Sequence, residues 1–101
     1  MDIGAYLIDH PNSTFLVRVK GDSMKDAGIV GGDIAVVDRS REAKNGDIVI
    51  ASLEGDATIK YLDLTSASPR LLPANAEYSP IALEADSQIL GVVVGSVRKY
   101  G

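Results

Sequence analysis

The apolar residues of this chain occur in short runs that turn residues separate, and this spacing leaves little room for a long helix. Residues 14–20 alternate between apolar and polar side chains, with Phe15, Val17 and Val19 on one face. Such alternation is typical of a strand with one buried face. Residues 34–38 are almost continuously apolar, which indicates a strand that is buried on both faces or central in a sheet.

The clearest local signal is a hairpin in the middle of the chain. Residues 47–53 and 57–64 are both strand-like, and residues 54–56 (Glu-Gly-Asp) form the turn between them. Residues 70–73 predict a further short extended segment. Residues 5–8 are compatible with either a helical turn or an edge strand.

A long last strand is predicted over residues 88–100, where Gly91 and Gly95 indicate bends or bulges. A chain of 101 residues has room for one modest core and no second domain. We therefore expect one small, mostly β domain over residues 1–101, built from curved or barrel-like antiparallel sheets.

The composition excludes several classes of site. The chain has no cysteine, which removes disulfides, thiol catalysis and zinc fingers. Its net charge is −4 and it lacks a Lys/Arg cluster, so direct binding to nucleic acid is not expected. No metal-ligand spacing and no phosphate-binding glycine motif are present, so no cofactor is expected. Neither a signal peptide nor a transmembrane segment is recognisable, and a cytoplasmic location is expected.

Two residues suggest catalytic chemistry. Ser23 follows Gly21 and Asp22 in a predicted turn, and Lys60 lies on the predicted strand 57–64. A serine becomes a nucleophile when a base removes its proton, and a lysine can be that base if burial lowers its pKa. A turn that starts a helix also supplies free backbone N–H groups, which can hold an oxyanion.

Each residue also has a purely structural interpretation. Alternation places Lys60 on the same face as Leu62 and Leu64, so its aliphatic stem could pack there while the amine reaches water. Ser23 could simply form or cap the turn. A Ser-His-Asp arrangement would need His10, the only histidine, which lies beside Pro11 in a predicted surface turn and is the weaker candidate.

Six segments together resemble the LexA/UmuD-type self-cleaving Ser-Lys peptidases of the bacterial DNA-damage (SOS) response. They occur in family order and spacing: VKGDSM (19–24), DAGI (26–29), GDIAVVD (32–38), NGDIVIA (45–51), ATIK (57–60) and LPANAEYSPI (72–81). The resemblance implies that Ser23 is the nucleophile, that Lys60 is the general base, and that the backbone amides of Asp22, Ser23 and Met24 form the oxyanion hole.

The resemblance also implies partners. Family members form homodimers, largely through the C-terminal strand region, and respond to the RecA–DNA filament. Within the family, HPNSTF (10–15) and EYSPI (77–81) are most similar to UmuD proteins, the accessory subunits of an error-prone DNA polymerase. On this basis we expect a UmuD-like peptidase domain that serves such a polymerase. We expect residues 91–99 to lie at or near its dimer interface.

The chain departs from the family upstream of the conserved segments. Family members carry an arm with a cleavable Ala-Gly or Cys-Gly bond, and the repressors carry a DNA-binding domain before it. Ala27-Gly28 lies only four residues after Ser23, too near to enter the site. We therefore expect a catalytic core without its arm. The C-terminal domain of a LexA or phage-type repressor, and a non-catalytic dimerisation and polymerase-binding module, remain alternatives.

Overall fold

The computed structural model describes residues 1–101 and is mostly β, as expected. None of its helices has the length and apolar character that crossing a membrane requires. The elements are α1 (Ile3–Leu7), β1 (Thr14–Arg18), β2 (Ile34–Asp38), β3 (Ile48–Leu53), β4 (Asp56–Asp63), β5 (Arg70–Leu72), β6 (Ile81–Ala82) and β7 (Gln88–Val97), with short 3₁₀ turns at Pro11–Ser13 and Lys25–Ala27.

The strands form one seven-stranded sheet in the order β1-β2-β7-β3-β4-β5-β6. Every neighbouring pair is antiparallel. β7 is the third strand of this order, and its C-terminal part pairs with β2 while its N-terminal part pairs with β3. The last strand of the chain therefore joins the two halves of the sheet.

Bulges in β7 confirm the predicted bends. Against β2 the pairing shifts from Gly95 to Val93, and against β3 it shifts from Gly91 to Ile89, so one residue of β7 is skipped at each place. A bulge bends its strand and increases the local twist. Both shifts lie in the strand that pairs with β2 on one side and with β3 on the other.

Each face of the sheet carries its own apolar cluster. Ile50 packs on one face with Val19, Met24, Val37 and others, while Val49 and Ala51 pack on the other face with Leu62, Leu71 and Val92. The alternation along β3 produces this division, since successive side chains of a strand point to opposite faces.

The hairpin of β3 and β4 is confirmed, and its turn has φ of 50° at Glu54 and 88° at Gly55. Positive φ at both turn residues is the mark of a tight two-residue hairpin turn. Residues 5–7 belong to a helix rather than an edge strand, because α1 covers Ile3–Leu7, and Ile8 is its C-cap. The short strand β6 was not predicted, since two residues carry no readable period.

β7 ends at Val97, which corrects the predicted end at residue 100. The reason is that Val97 pairs with Ile34, the first residue of β2, so residues 98–100 have no strand beside them. Beyond this point the Arg98 guanidinium donates to both carboxylate oxygens of Asp33 and to the Gly28 carbonyl oxygen. These hydrogen bonds from Arg98, with one from the Val30 N–H, lower the pKa of the buried Asp33 to about 2. The end of the chain is thereby attached to the loop that follows Ser23.

Gly91 gives a stability prediction, because β7 crosses Val37 at very short range. A Cβ at Gly91 would lie 2.5 Å from Val37 Cγ1 and 3.2 Å from the Asp38 carbonyl oxygen, and Val37 is fully buried. Gly91→Ala should lower the free energy of unfolding by about 1–3 kcal/mol, as overpacking does. Urea unfolding measures the change.

Gly95→Ala is the matched control in the same strand. Its Cβ would meet only the end of the Leu7 side chain, which belongs to a helix with no buried residue and can shift. We expect a smaller loss than for Gly91→Ala. Equal losses for the two variants would contradict the account of the Val37 contact.

Candidate active site

Ser23 lies in a loop that leaves the sheet directly after β1. Val19 still pairs with the loop before β2, since its N–H donates to the Asp33 carbonyl oxygen and its own carbonyl accepts from Gly32. Gly21 then reverses the chain with φ of 74°, a conformation that glycine adopts without strain. Ser23 is half-buried at the top of this turn, and the buried Met24 side chain attaches it to the core.

Lys60 reaches Ser23 from the middle of β4. Its backbone pairs with Val49 of β3, and its side chain is only 5% exposed. Lys60 Nζ lies 2.9 Å from Ser23 Oγ, and it also donates to Thr58 Oγ1, two residues earlier on the same strand face. The structure thus brings together the two residues that the sequence singled out.

Burial lowers the pKa of Lys60 below its ordinary value of 10.5. The cause is desolvation, because a buried amine loses the water that stabilises its charge. No carboxylate forms an ion pair with Nζ to offset this loss. Of the two leucines that alternation placed on the face of Lys60, Leu62 is buried, but Leu64 lies beyond the end of β4 at Asp63 and is 46% exposed, so it does not help to bury the amine.

The backbone around Ser23 offers free donors. The N–H groups of Asp22, Ser23 and Met24 donate to no acceptor in the protein. Because unpaired N–H groups beside a nucleophile are what an oxyanion requires, these amides fit the role that the resemblance implies for them.

A groove of about 420 Å³ opens beside Ser23, between the end of β1 and the start of β4. Arg18 and Lys20 line it from β1 and the turn, and Asp56 lines it from β4. β5 pairs only with residues 61–63 of β4, so residues 56–60 have no strand partner on that side. Such an open edge can accept an extended peptide as an added strand.

The sequence analysis missed several residues of this site. Thr58 was assigned no role, although the two-residue period of a strand places its hydroxyl on the same face as the Lys60 amine. Asn75 and Tyr78 lie in the segment LPANAEYSPI (72–81) that carries the resemblance, but nothing there indicated their contacts: Asn75 Nδ2 donates to the Asp22 carbonyl oxygen and Tyr78 Oη donates to Asp22 Oδ1, across more than fifty positions of sequence.

His10 is on the surface as predicted, but it has a partner that the sequence did not indicate. Its Nδ1 lies 2.6 Å from Oδ2 of the buried Asp38. Hydrogen bonds from His10 and then from Ser40 hold the pKa of Asp38 well below its usual range. Asp38 and Asp33 lie at opposite ends of β2, roughly 15 Å apart at strand geometry, and the Ser23 loop joins the Asp33 end. The His10–Asp38 pair therefore lies at a different end of the sheet from Ser23.

Comparison with known proteins gives consistent matches. Residues 1–94 match the family described as Peptidase S24-like. The LexA repressor of Carboxydothermus hydrogenoformans is 44% identical over 88 residues, covering 85% of this chain and 43% of that protein. The LexA repressor of Clostridium perfringens strain 13 is 45% identical over 93 residues, covering 92% of this chain and 45% of that protein.

A third relative, the LexA repressor of Methylococcus capsulatus, is 43% identical over 99 residues, covering 95% of this chain and 48% of that protein. The chain thus spans a little under half the length of the curated relatives it matches.

Proposed function

We propose that this chain, which belongs to the Peptidase S24-like family, is the self-cleaving C-terminal domain of a LexA-type repressor. The family consists of self-cleaving serine peptidases, and the relatives that match nearly the whole chain are named LexA repressors. These names favour the repressor domain over the UmuD-like polymerase subunit that the sequence analysis preferred. We do not propose a polymerase partner.

In the proposed mechanism Lys60 is the general base and Ser23 the nucleophile. Neutral Lys60 Nζ accepts the Ser23 hydroxyl proton across the 2.9 Å contact, and Oγ attacks the carbonyl carbon of the scissile peptide bond. The amides of Asp22, Ser23 and Met24 stabilise the oxyanion. Lys60 then gives its proton to the leaving amine and later activates the water that hydrolyses the acyl-enzyme.

One observation carries this proposal: the Lys60 amine is buried, lies within hydrogen-bond distance of Ser23 and has no acidic partner. A lysine that served only packing or solubility would keep its charge in water or pair it with a carboxylate. Thr58 positions the amine, because its hydroxyl oxygen accepts a hydrogen bond from Nζ. The arrangement therefore places a neutral amine beside the Ser23 hydroxyl.

The proposed substrate is an extended segment of the same longer protein, bound in the groove beside Ser23. The groove joins the nucleophile to the unpaired edge of β4 at residues 56–60, so the substrate backbone can hydrogen-bond there. Ala27-Gly28 does not qualify, since both residues are held in the 3₁₀ turn and its C-terminal cap by backbone hydrogen bonds.

The test is incubation of the full-length protein at a series of pH values, followed by intact mass measurement. A single internal cleavage upstream of this domain is expected, and its rate should increase with pH. An intact protein at every pH would leave the non-catalytic module as the better account. The sequence upstream of the domain separates the two enzyme alternatives: a helix-turn-helix supports the repressor, and a short arm supports the UmuD-like protein.

We also propose that the domain forms a homodimer, and that its family partner is the RecA–DNA filament. Apolar side chains are exposed on β1, on α1 and at the end of β7, namely Leu16, Tyr6 and Val97. Gly91 and Val92 are buried within the sheet, so only the last part of the expected 91–99 interface is accessible. Sedimentation at tens of micromolar should give a dimer that Val97→Arg weakens; a monomer would contradict the dimer.

A further inference from the structure

The turn that carries Ser23 is held from outside by one segment of the chain. This supporting segment, residues 74–78, follows β5 and lies against the turn. The Ala74 N–H donates to the Ser23 carbonyl oxygen at 2.8 Å, and the Asp26 N–H donates back to the Ala74 carbonyl oxygen at 2.8 Å. Asn75 Nδ2 donates to the Asp22 carbonyl oxygen at 3.0 Å.

Two of these hydrogen bonds act on the peptide planes that carry candidate oxyanion donors. The Asp22 carbonyl and the Ser23 N–H belong to one rigid peptide unit, and in a trans peptide they point in opposite directions. A donor that holds the Asp22 carbonyl oxygen therefore also orients the Ser23 N–H. In the same way, the Ala74 N–H orients the Met24 N–H through the Ser23 carbonyl.

Asn75 is well suited to this task because it is itself immobile. Its side chain is buried, with the residue only 5% exposed, and both ends of its amide are used. Oδ1 accepts from the Glu77 N–H at 2.9 Å while Nδ2 donates to Asp22. A buried amide with a partner at each end is held in one orientation, since turning it over would leave both partners unsatisfied.

We propose that Asn75 is a positioning residue that aims the Ser23 N–H at the oxyanion by holding the Asp22 carbonyl. This inference rests on the proposed peptidase function, which it deepens. Asn75 does not touch the reacting atoms. Its hydrogen bond also polarises the Asp22–Ser23 peptide and so strengthens the N–H as a donor.

An alkyl fluorophosphonate probe tests the inference without any peptide substrate. Ser23 Oγ attacks phosphorus, the P–F bond breaks and fluoride leaves, and Lys60 takes the hydroxyl proton. The phosphoryl oxygen of the adduct occupies the position of the oxyanion. Intact mass measured over time gives the labelling rate of the chain.

Asn75→Asp and Asn75→Ala both remove the side-chain donor to the Asp22 carbonyl oxygen, which then keeps only the longer hydrogen bond from the Lys25 N–H at 3.2 Å. Asn75→Asp keeps the shape and the acceptor for the Glu77 N–H, and Asn75→Ala avoids a new charge, so each variant controls for the other. Removing one oxyanion donor outright costs about 10²–10³ in rate, and we expect a misoriented donor to lower labelling by roughly 10–100-fold. Tyr78→Phe is the matched control, because it removes a hydrogen bond from the same segment to the Asp22 side chain rather than to the peptide plane.

The pH profile separates positioning from damage to the base. In the Asn75→Ala variant the labelling rate should reach a lower plateau than in the wild type. The pH at which the plateau begins should be the same in both. In the wild-type adduct the amide protons of Ser23 and Met24 should move downfield in NMR spectra, and the Ser23 shift should be smaller in the Asn75 variants. If Asn75 had a merely structural role, its variants would alter thermal unfolding, and the Ser23 amide proton would shift on labelling by the same amount in the variants as in the wild type.

The outcomes distinguish the two proposals. A wild-type chain that the probe does not label argues against the proposed function itself. A labelled wild type with folded Asn75 variants that react within about twofold of it, and with unchanged amide shifts, overturns the positioning role of Asn75. A loss in Tyr78→Phe as large as in Asn75→Asp also overturns it, because general support of the turn would then explain both.

Discussion

Lys60→Ala should abolish self-cleavage of the full-length protein, with the rate falling by roughly 10⁴-fold or more, because the proposed reaction then lacks its base. Lys60→Arg should be as inactive, since a guanidinium does not release its proton at usable pH. Intact mass spectrometry of the protein over time measures both. Lys44→Ala is the control, because that lysine is exposed and lies away from Ser23.

The Lys60→Ala variant should not be less stable than the wild type. Lys60 contributes an amine that folding must desolvate, so Lys60→Ala removes that cost as well as the packing of the stem. Urea unfolding at neutral pH checks this expectation. A large loss of stability in Lys60→Ala would mean that the packing of the stem and the hydrogen bonds of the amine outweigh the cost of desolvating it, and the expectation would be wrong.

The pH dependence follows from the direction of the pKa shift. The pKa of Lys60 is lower in the folded chain than its ordinary value of 10.5, so the unfolded chain binds the proton more tightly. The destabilisation is fully present below the folded pKa and is relieved as pH rises from that value to 10.5. Stability should rise through this window. The cleavage rate should rise as the pH approaches the folded pKa and level off above it, because the base is then already neutral.

Direct titration of the Lys60 amine by NMR is the decisive measurement of this mechanism. The expected pKa lies clearly below that of a free lysine. A value at or above 10.5 would mean a solvated ammonium, and the assignment of Lys60 as the general base would be wrong. The rate profile of Lys60→Ala, if it showed the same rise with pH, would point to a different base.

Ser23→Ala should also abolish cleavage while leaving the fold intact. The loss in rate should match that of Lys60→Ala, because nucleophile and base act as one unit and their effects do not add. A double variant should therefore be no slower than either single one. The cost in stability should be about 1 kcal/mol or less, since Ser23 is a small turn residue whose hydroxyl has only Lys60 as a side-chain partner.

Ser66→Ala serves as the matched serine control. Its hydroxyl donates to the Ser68 carbonyl oxygen in an exposed loop between β4 and β5, away from the groove. Cleavage should be unchanged in this variant. Cleavage that survives in Ser23→Ala at more than a trace would exclude Ser23 as the nucleophile, whatever the result for Lys60.

Local pattern accounts for most of the fold that could be predicted. The strands β1 to β4 were recognised to within two residues at each end, because alternation and turn residues are properties of neighbouring positions. The bulges of β7 were indicated by Gly91 and Gly95 for the same reason. The two-residue strand β6 and the end of β7 were missed, since the extent of their pairing partners decides them.

The sequence by itself determined the residue types of the site. It has no cysteine and no metal-ligand cluster, so only a serine with a partner base was available for the chemistry. It left the state of Lys60 open between a buried base and a solvated side chain. The tertiary structure decided this in favour of burial, because β4 carries the amine under the Ser23 turn. It also decided that Asn75 holds that turn across 53 positions of sequence, since sheet order alone brings such distant segments together.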